Sequence, residues 1–147
     1  MDLQISLPKS LQMLNWQMVY FSFLLLGENN SQDAEATVNA VFNEYQSRGS
    51  NYHNVSHLHE GIFEFMSYDS RLMPVTMAKI ILAYTYHDMV YVPGSPDNEA
   101  RSAEAWIADA KRLGINDYRI EVVANAIRRT DHQSASLHGV EAWVSDL

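Results

Sequence analysis

Apolar residues recur with the spacing of an α-helix along nearly the whole of this chain. In one stretch Val38, Val41, Phe42 and Tyr45 fall at positions i, i+3, i+4 and i+7, which is the pattern of a helix with one apolar face. No segment shows the alternation typical of a half-buried strand. A chain of 147 residues without repeats or a long linker suits one domain with its own hydrophobic core. The sequence therefore predicts a single all-α domain over residues 1–147, a bundle of about six to seven helices.

Prolines and glycines mark the ends of these helices. Pro74 suits the first turn of a helix, Gly114 suits a C-terminal cap, and the prolines and glycine between Val92 and Asn98 predict a loop. We expect a first helix from about Pro8 to Leu26, a second from near Ser31, a third containing Leu58 and Met66, and a fourth from Pro74 to His87-Asp88. A fifth helix contains Ala103 and Trp106 and closes at Gly114, a sixth contains Ile120 and Ile127, and a seventh runs from about Ser134 or Ser136 to Leu147.

The composition excludes several classes of function. The chain has no cysteine, which removes disulfides, thiolate zinc sites and iron–sulfur clusters. Its formal charge of -8 argues against duplex nucleic acid and anionic membranes as partners. A small phosphorylated substrate is still allowed, because a bound dication reverses the local potential. The apolar run from Val19 to Leu26 is too short to span a bilayer, and no signal peptide is recognisable, so we expect a cytoplasmic protein.

A histidine and an aspartate stand side by side at positions 87 and 88, at the end of the apolar fourth helix. Such a pair costs desolvation free energy unless something compensates it, and either a hydrogen bond within the pair or a bound metal ion would do so. Ligands from separate helices commonly build a metal site in a bundle, and His57 and Asp146 offer two more donors. Two imidazoles and two carboxylates suit a divalent ion, without choosing among Mn, Mg, Fe, Co, Ni and Zn.

Five motifs follow one another along residues 45 to 147. They are Tyr52-His53-Asn54-Val55-Ser56-His57, Tyr86-His87-Asp88-Met89-Val90-Tyr91, Asp97-Asn98-Glu99-Ala100-Arg101-Ser102-Ala103, Thr130-Asp131-His132 and Asp146-Leu147. In this order, on an all-α chain, they resemble the HD superfamily of metal-dependent phosphohydrolases. The resemblance is closest to a small bacterial branch of predicted metal-dependent HD phosphohydrolases. It implies hydrolysis of a phosphate ester or anhydride, most commonly of a nucleotide, with metal ligands at His57, His87, Asp88 and Asp146.

The resemblance also suggests roles for the other polar residues of the motifs. Glu99 and Asp88 are the candidate catalytic residues, with Glu99 orienting or deprotonating the attacking water. Glu99 has an equally simple alternative, as an acidic residue that interacts with the dipole of the fifth helix. His53 lies one turn before His57, so that either could be the ligand by spacing, and the family pattern favours His57. The candidate substrate-binding residues are His53, Asn54, Asn98 and His132, although Asn98 could simply cap the fifth helix.

Two features depart from the family pattern. Ser50 stands where the family has an arginine, and the nearest arginine is Arg48. The chain also stops one residue after Asp146, so we expect either a truncated product or an end that a partner subunit holds, and a homo-oligomer is compatible with the sequence. A second function therefore stays open, that of a non-catalytic nucleotide- or partner-binding module with an incomplete site.

Overall fold

A computed structural model of the chain describes residues 8–27, 31–49, 54–67 and 73–132. Over these ranges the fold is all-helical, without a strand, which confirms the predicted fold class. The helices are α1 (Lys9–Leu26), α2 (Ser31–Gln46), α3 (Val55–Ser67), α4 (Pro74–His87), α5 (Asn98–Arg112) and α6 (Asp117–Arg128), followed by a 3₁₀ turn at Arg129–His132. These six helices match the first six predicted from periodicity. The seventh predicted helix lies outside the described residues.

Helix α4 is the central element of the bundle. Every residue from Ile80 to Tyr86 is buried, as expected for a helix that is apolar on all sides. Helices α1, α3, α5 and α6 pack around it. Its last turn is also tied to α2, because the buried hydroxyl of Tyr45 donates a hydrogen bond of 2.6 Å to the carbonyl oxygen of Thr85. The His87-Asp88 step therefore lies where the central helix leaves the core.

The end of α5 follows the prediction made from Gly114. Gly114 has a φ of 75°, in the left-handed region where glycine carries no steric penalty. Its N–H donates to the carbonyl of Lys111 (3.2 Å), and the N–H of Ile115 donates to the carbonyl of Ala110 (3.0 Å). This pair of bonds is a Schellman motif. It turns the chain sharply, so that α6 returns along α5.

Helix α1 lies at the edge of the bundle. Its inner face places Val19, Phe23 and Leu26 in the core, while Phe21 and Leu25 on the outer face are largely exposed. At 18 residues it is the longest described helix. No described helix combines the length and the apolar character that crossing a membrane requires. Packing against α4 therefore explains the apolar run that the sequence shows in this segment.

Candidate metal centre

Three of the four predicted ligands come together in the structure. His57, His87 and Asp88 each offer one ligand atom, and these atoms all lie within 4.8 Å of one another. His57 belongs to the first turn of α3, and His87 is the last residue of α4. Asp88 follows as the C-cap, with φ -111° and ψ 17°, so the helix ends between the two ligands and both side chains can turn to one point. The fourth predicted ligand, Asp146, and the alternative ligand, His53, lie outside the described residues.

The orientation of His87 suits a metal ligand. Its Nδ1–H donates to the backbone carbonyl of Tyr84, which leaves Nε2 as the ring nitrogen with a lone pair. Nε2 lies 3.1 Å from Oδ2 of Asp88. Two neighbouring ligands held at about 2.1 Å from one octahedral ion are separated by about 3 Å. Metal-binding histidines commonly donate their second ring nitrogen to a carbonyl in this way.

The surroundings of His87 favour a positive charge. Burial acts to lower the pKa of His87, but the charge and hydrogen bond of Asp88, the carbonyl of Tyr84 and the charge of Glu99 together raise it above 6.5. A proton on Nε2 of His87 would lie between the imidazole and the carboxylate of Asp88. A metal cation bound by both side chains would take the same position. The group therefore presents a negative local potential to any cation that replaces that proton.

Tyr84 holds His57 in place from the side of α4. Its hydroxyl donates to the backbone carbonyl of His57 at 3.0 Å. Its ring lies beside both imidazoles, with centroids 6.4 Å from His57 and 4.7 Å from His87. One aromatic residue of the central helix therefore fixes the distance between the two histidines.

Asn54, a predicted substrate-binding residue, has a structural task in the described chain. It is buried, and its Oδ1 accepts from the backbone N–H of His57 at 3.1 Å. Its Nδ2 donates to the carbonyl of Gly49 at 2.8 Å. The side chain therefore caps α3 and joins its first turn to the segment that follows α2. This cap is what places His57 three residues into a helix.

Arg48 supports the centre in a way that no sequence motif indicated. Its guanidinium donates to the carbonyl oxygens of Asp88 (2.7 Å) and Met89 (2.6 Å). The same group lies over the ring of Tyr45, at 4.5 Å from the centroid. These bonds satisfy carbonyls that the end of α4 leaves without a helical partner. Arg48 thus acts on the backbone that carries the ligands, and it lies only two positions before Ser50, where the family pattern has an arginine.

Two side chains of α5 fasten the segment that follows the His87-Asp88 step. Asn98 accepts from the N–H of Val92 and donates to its carbonyl, both at 2.9 Å. Ser102, one turn later and fully buried, accepts from the N–H of Val90 (3.0 Å) and donates to its carbonyl (3.2 Å). We call these two residues the α5 clamp. The N-cap of α5 is Asp97, so Asn98 does not have the capping role that was the alternative to substrate binding. Ser102 lies in the third sequence motif, but no role was predicted for it.

Glu99 and His132 stand differently from the three gathered residues. Glu99 lies in the first turn of α5, near enough to His87 for its charge to raise the pKa of that imidazole. It is not part of the group formed by His57, His87 and Asp88. The backbone of His132 belongs to the 3₁₀ turn after α6, and its side chain is not described.

The chain matches no model of a known protein family, no curated protein and no solved structure. The resemblance to the HD superfamily therefore rests on the five ordered motifs in the sequence.

Proposed function

We propose that this chain is a metal-dependent phosphohydrolase of the HD type, acting on a small phosphorylated substrate, with nucleotides as the substrate class. The observation that carries the proposal is the meeting of His57, His87 and Asp88 within 4.8 Å. The hydrogen bond from Nδ1 of His87 to Tyr84 supports it, because it leaves Nε2 as the coordinating atom. The donor set suits Mn, Mg, Fe, Co, Ni or Zn.

A divalent ion in this position would acidify a water molecule and polarise a phosphoryl oxygen. Glu99 would orient that water and accept its proton, and its influence on the charge of His87 supports this role. Asp88 offers a carboxylate that can hold the ion and accept a hydrogen bond from the attacking water. Because Arg48 is bonded to backbone carbonyls, the positive charge that an anionic substrate needs would come from the ion.

Metal content and hydrolysis, measured together, test this proposal. Protein purified without chelator is expected to hold at least one divalent ion per chain and to release phosphate from at least one member of a panel of nucleoside mono-, di- and triphosphates. Asp88→Asn should lower both the affinity for Mn²⁺ and the hydrolysis rate by about 100-fold or more. Asp97→Asn is the matched control, since it makes the same charge change in the exposed loop before α5.

Three results would contradict the proposal. Protein without bound metal that also fails to bind added Mn²⁺ would remove its basis. Equal effects of Asp88→Asn and Asp97→Asn would place any metal elsewhere. Iron as the sole bound metal, without phosphate release, would indicate oxidation chemistry, for which two imidazoles and one carboxylate are also a common ligand set.

Two observations favour a second candidate, a non-catalytic nucleotide-binding module. Asn54 is a predicted substrate-binding residue, but the oxygen and the nitrogen of its amide both form hydrogen bonds that cap α3 and join it to Gly49. Arg48, the nearest arginine to the family's phosphate position, is likewise bonded to backbone. This candidate predicts that nucleotides raise the unfolding temperature without any turnover. Turnover of any compound in the panel would dismiss it.

A further inference from the structure

A groove lies on the other side of α3 from the candidate metal centre. Its volume is about 620 Å³, within the usual range for small-molecule sites. Helices α1, α2 and α3 form its walls. His59, which lines the groove, follows His57 by two positions, so the two imidazoles leave α3 on nearly opposite faces. The groove is therefore a separate feature and not an extension of the metal centre.

The walls of the groove are aromatic and held in place. Trp16 donates its indole N–H to Oδ1 of Asn39 at 2.9 Å and stacks on Tyr20 with centroids 5.3 Å apart. Phe42 packs against the His59 imidazole, with centroids 5.1 Å apart. Both rings line the groove. Fixed aromatic walls favour a flat ring as the occupant, since stacking then costs little side-chain entropy.

One wall of the groove carries an unused hydrogen-bond donor. The Nδ2 amide of buried Asn15 lies 3.0 Å from Nδ1 of His59, so Nδ1 accepts and the hydrogen of the neutral ring is on Nε2. Nε2 of His59 makes no hydrogen bond within the described part of the chain. Asn15 Oδ1 is the sole buried side-chain atom without a hydrogen-bond partner among the described residues, so Nε2 of His59 is accessible to solvent. His59 itself is 94% buried, with a relative exposure of 6%. A ligand atom that accepts a hydrogen bond would satisfy this N–H.

The charge around the groove selects against cations. None of the acidic residues in the part of the chain that the structure describes lines the groove. Among the described residues that line it, Lys9, in the first turn of α1, is the one that carries a charge. In a chain with a formal charge of -8, such a surface is unusual, and it complements a negative group on the ligand.

We propose that this groove binds a small aromatic anion, with its ring against Trp16 and Phe42 and a hydrogen-bond acceptor on Nε2–H of His59. Lys9 contributes the positive charge at the groove. The site does not depend on a metal ion at His57, His87 and Asp88, and it is compatible with either function discussed above. It assigns the chain a second ligand, different in chemistry from a phosphorylated substrate.

The dye 1-anilinonaphthalene-8-sulfonate tests this site, because it is an aromatic anion that fluoresces in apolar surroundings. We expect one saturable site per chain. Gln46→Trp, an exposed residue that lines the groove, should weaken binding at least about tenfold by filling the space. Lys9→Glu should weaken dye binding about fivefold. Lys111→Glu, the same change at an exposed position of α5, should leave dye binding unchanged. The uncharged dye N-phenyl-1-naphthylamine, which has the same rings without the sulfonate, should bind more weakly.

A second measurement follows the histidine directly. At saturating dye, the ring resonances of His59 should shift in the NMR spectrum of the unaltered protein. Binding that survives Gln46→Trp, that disappears in Phe21→Ser on the outer face of α1, or that leaves the His59 resonances unmoved would overturn the proposal. Equal binding of both dyes would also overturn it. If Gln46→Trp lowers the unfolding temperature, Asn43→Trp, another exposed residue that lines the groove, replaces it.

Discussion

The phenol ring of Tyr84 occupies the space that a side chain on Gly61 would need. A Cβ atom added to Gly61 would lie 2.0 Å from Cζ of Tyr84, far inside contact distance. Gly61 is therefore what allows Tyr84 to approach α3 and donate its hydrogen bond to the carbonyl of His57. The geometry of the candidate metal centre depends on the absence of a side chain one turn away from one of its ligands.

Replacing Gly61 with alanine should therefore weaken both the fold and the metal site. We expect Gly61→Ala to lower the free energy of unfolding by about 1–3 kcal/mol through overpacking, and to lower Mn²⁺ affinity because Tyr84 must move. Urea unfolding and calorimetric titration measure the two effects. Glu60→Ala, at the neighbouring exposed position, is the control. If Gly61→Ala costs as much in a Tyr84→Leu background as in the native chain, the clash is not the cause.

Arg48 should stabilise the candidate metal centre through the backbone carbonyls that it binds. Arg48→Gln removes two hydrogen bonds to the carbonyls of Asp88 and Met89. We expect a loss of about 2 kcal/mol in the free energy of unfolding, together with weaker Mn²⁺ binding. The ion pair with Glu44 spans 3.7 Å, and the Glu44 carboxylate is exposed, so Glu44→Gln should change stability by less than about 0.5 kcal/mol. Equal losses in the two variants would assign the effect to the ion pair.

The buried imidazole of His59 predicts a loss of stability in mild acid. Burial lowers the pKa of His59 from 6.5 to about 4. Between these two values the unfolded chain binds a proton that the folded chain does not, so stability falls as the pH drops from about 6.5 to about 4 and is unaffected by this group above that window. Solvent access at Nε2 reduces the cost of charging the ring. We therefore expect His59 to lower the free energy of unfolding by roughly 2 kcal/mol across this pH window.

NMR titration of the metal-free protein should show one imidazole that stays neutral until the pH approaches 4. Comparison of the wild type with His59→Gln, at pH 7 and pH 4.5, separates this contribution from that of the carboxylates. A His59 resonance that titrates near pH 6.5 would contradict the assignment. So would an identical loss of stability in the two proteins.

The α5 clamp should protect the backbone between the metal centre and the following loop. Asn98→Ala leaves the N–H and C=O of Val92 without their side-chain partner, at a cost of about 2 kcal/mol. Hydrogen exchange at the Val92 amide should accelerate. Ser102→Ala should have the same effect at the Val90 amide. Ser95→Ala is the control within the same loop, because its hydroxyl accepts one longer bond of 3.3 Å. Unchanged exchange at both amides would show that the clamp carries no stability.

Periodicity along the chain predicted the helices well because each helix buries one face or, in α4, all of them. The C-cap at Gly114 was equally readable, since a left-handed residue at a helix end has a local signature. The approach of His57 to His87-Asp88 was expected from the order of the motifs, and the structure brings these side chains together.

The supports of the centre could not be predicted in the same way. Arg48 and Ser102 bind backbone atoms 40 and 12 positions away, and an arginine or serine that donates to a distant carbonyl has no pattern in its own neighbourhood. Asn54 was predicted to bind substrate because it lies in a motif, and the motif did not indicate that its amide also caps a helix. The pairing of Asn15 with His59 spans 44 positions and depends entirely on how α1 packs against α3.

The α5 clamp also divides the connection between α4 and α5 into two parts with different freedom. On the side of the candidate metal centre, Val90 and Val92 are held by hydrogen bonds from the clamp. The tip, residues 93–97, lies beyond these bonds and is mostly exposed. A Cβ added to Gly94 at that tip would meet nothing within 4 Å. The hydrogen bonds of the clamp therefore lie between the tip and Asp88 along the chain. A protein engineer could lengthen or exchange this tip while His87 and Asp88 stay where they are.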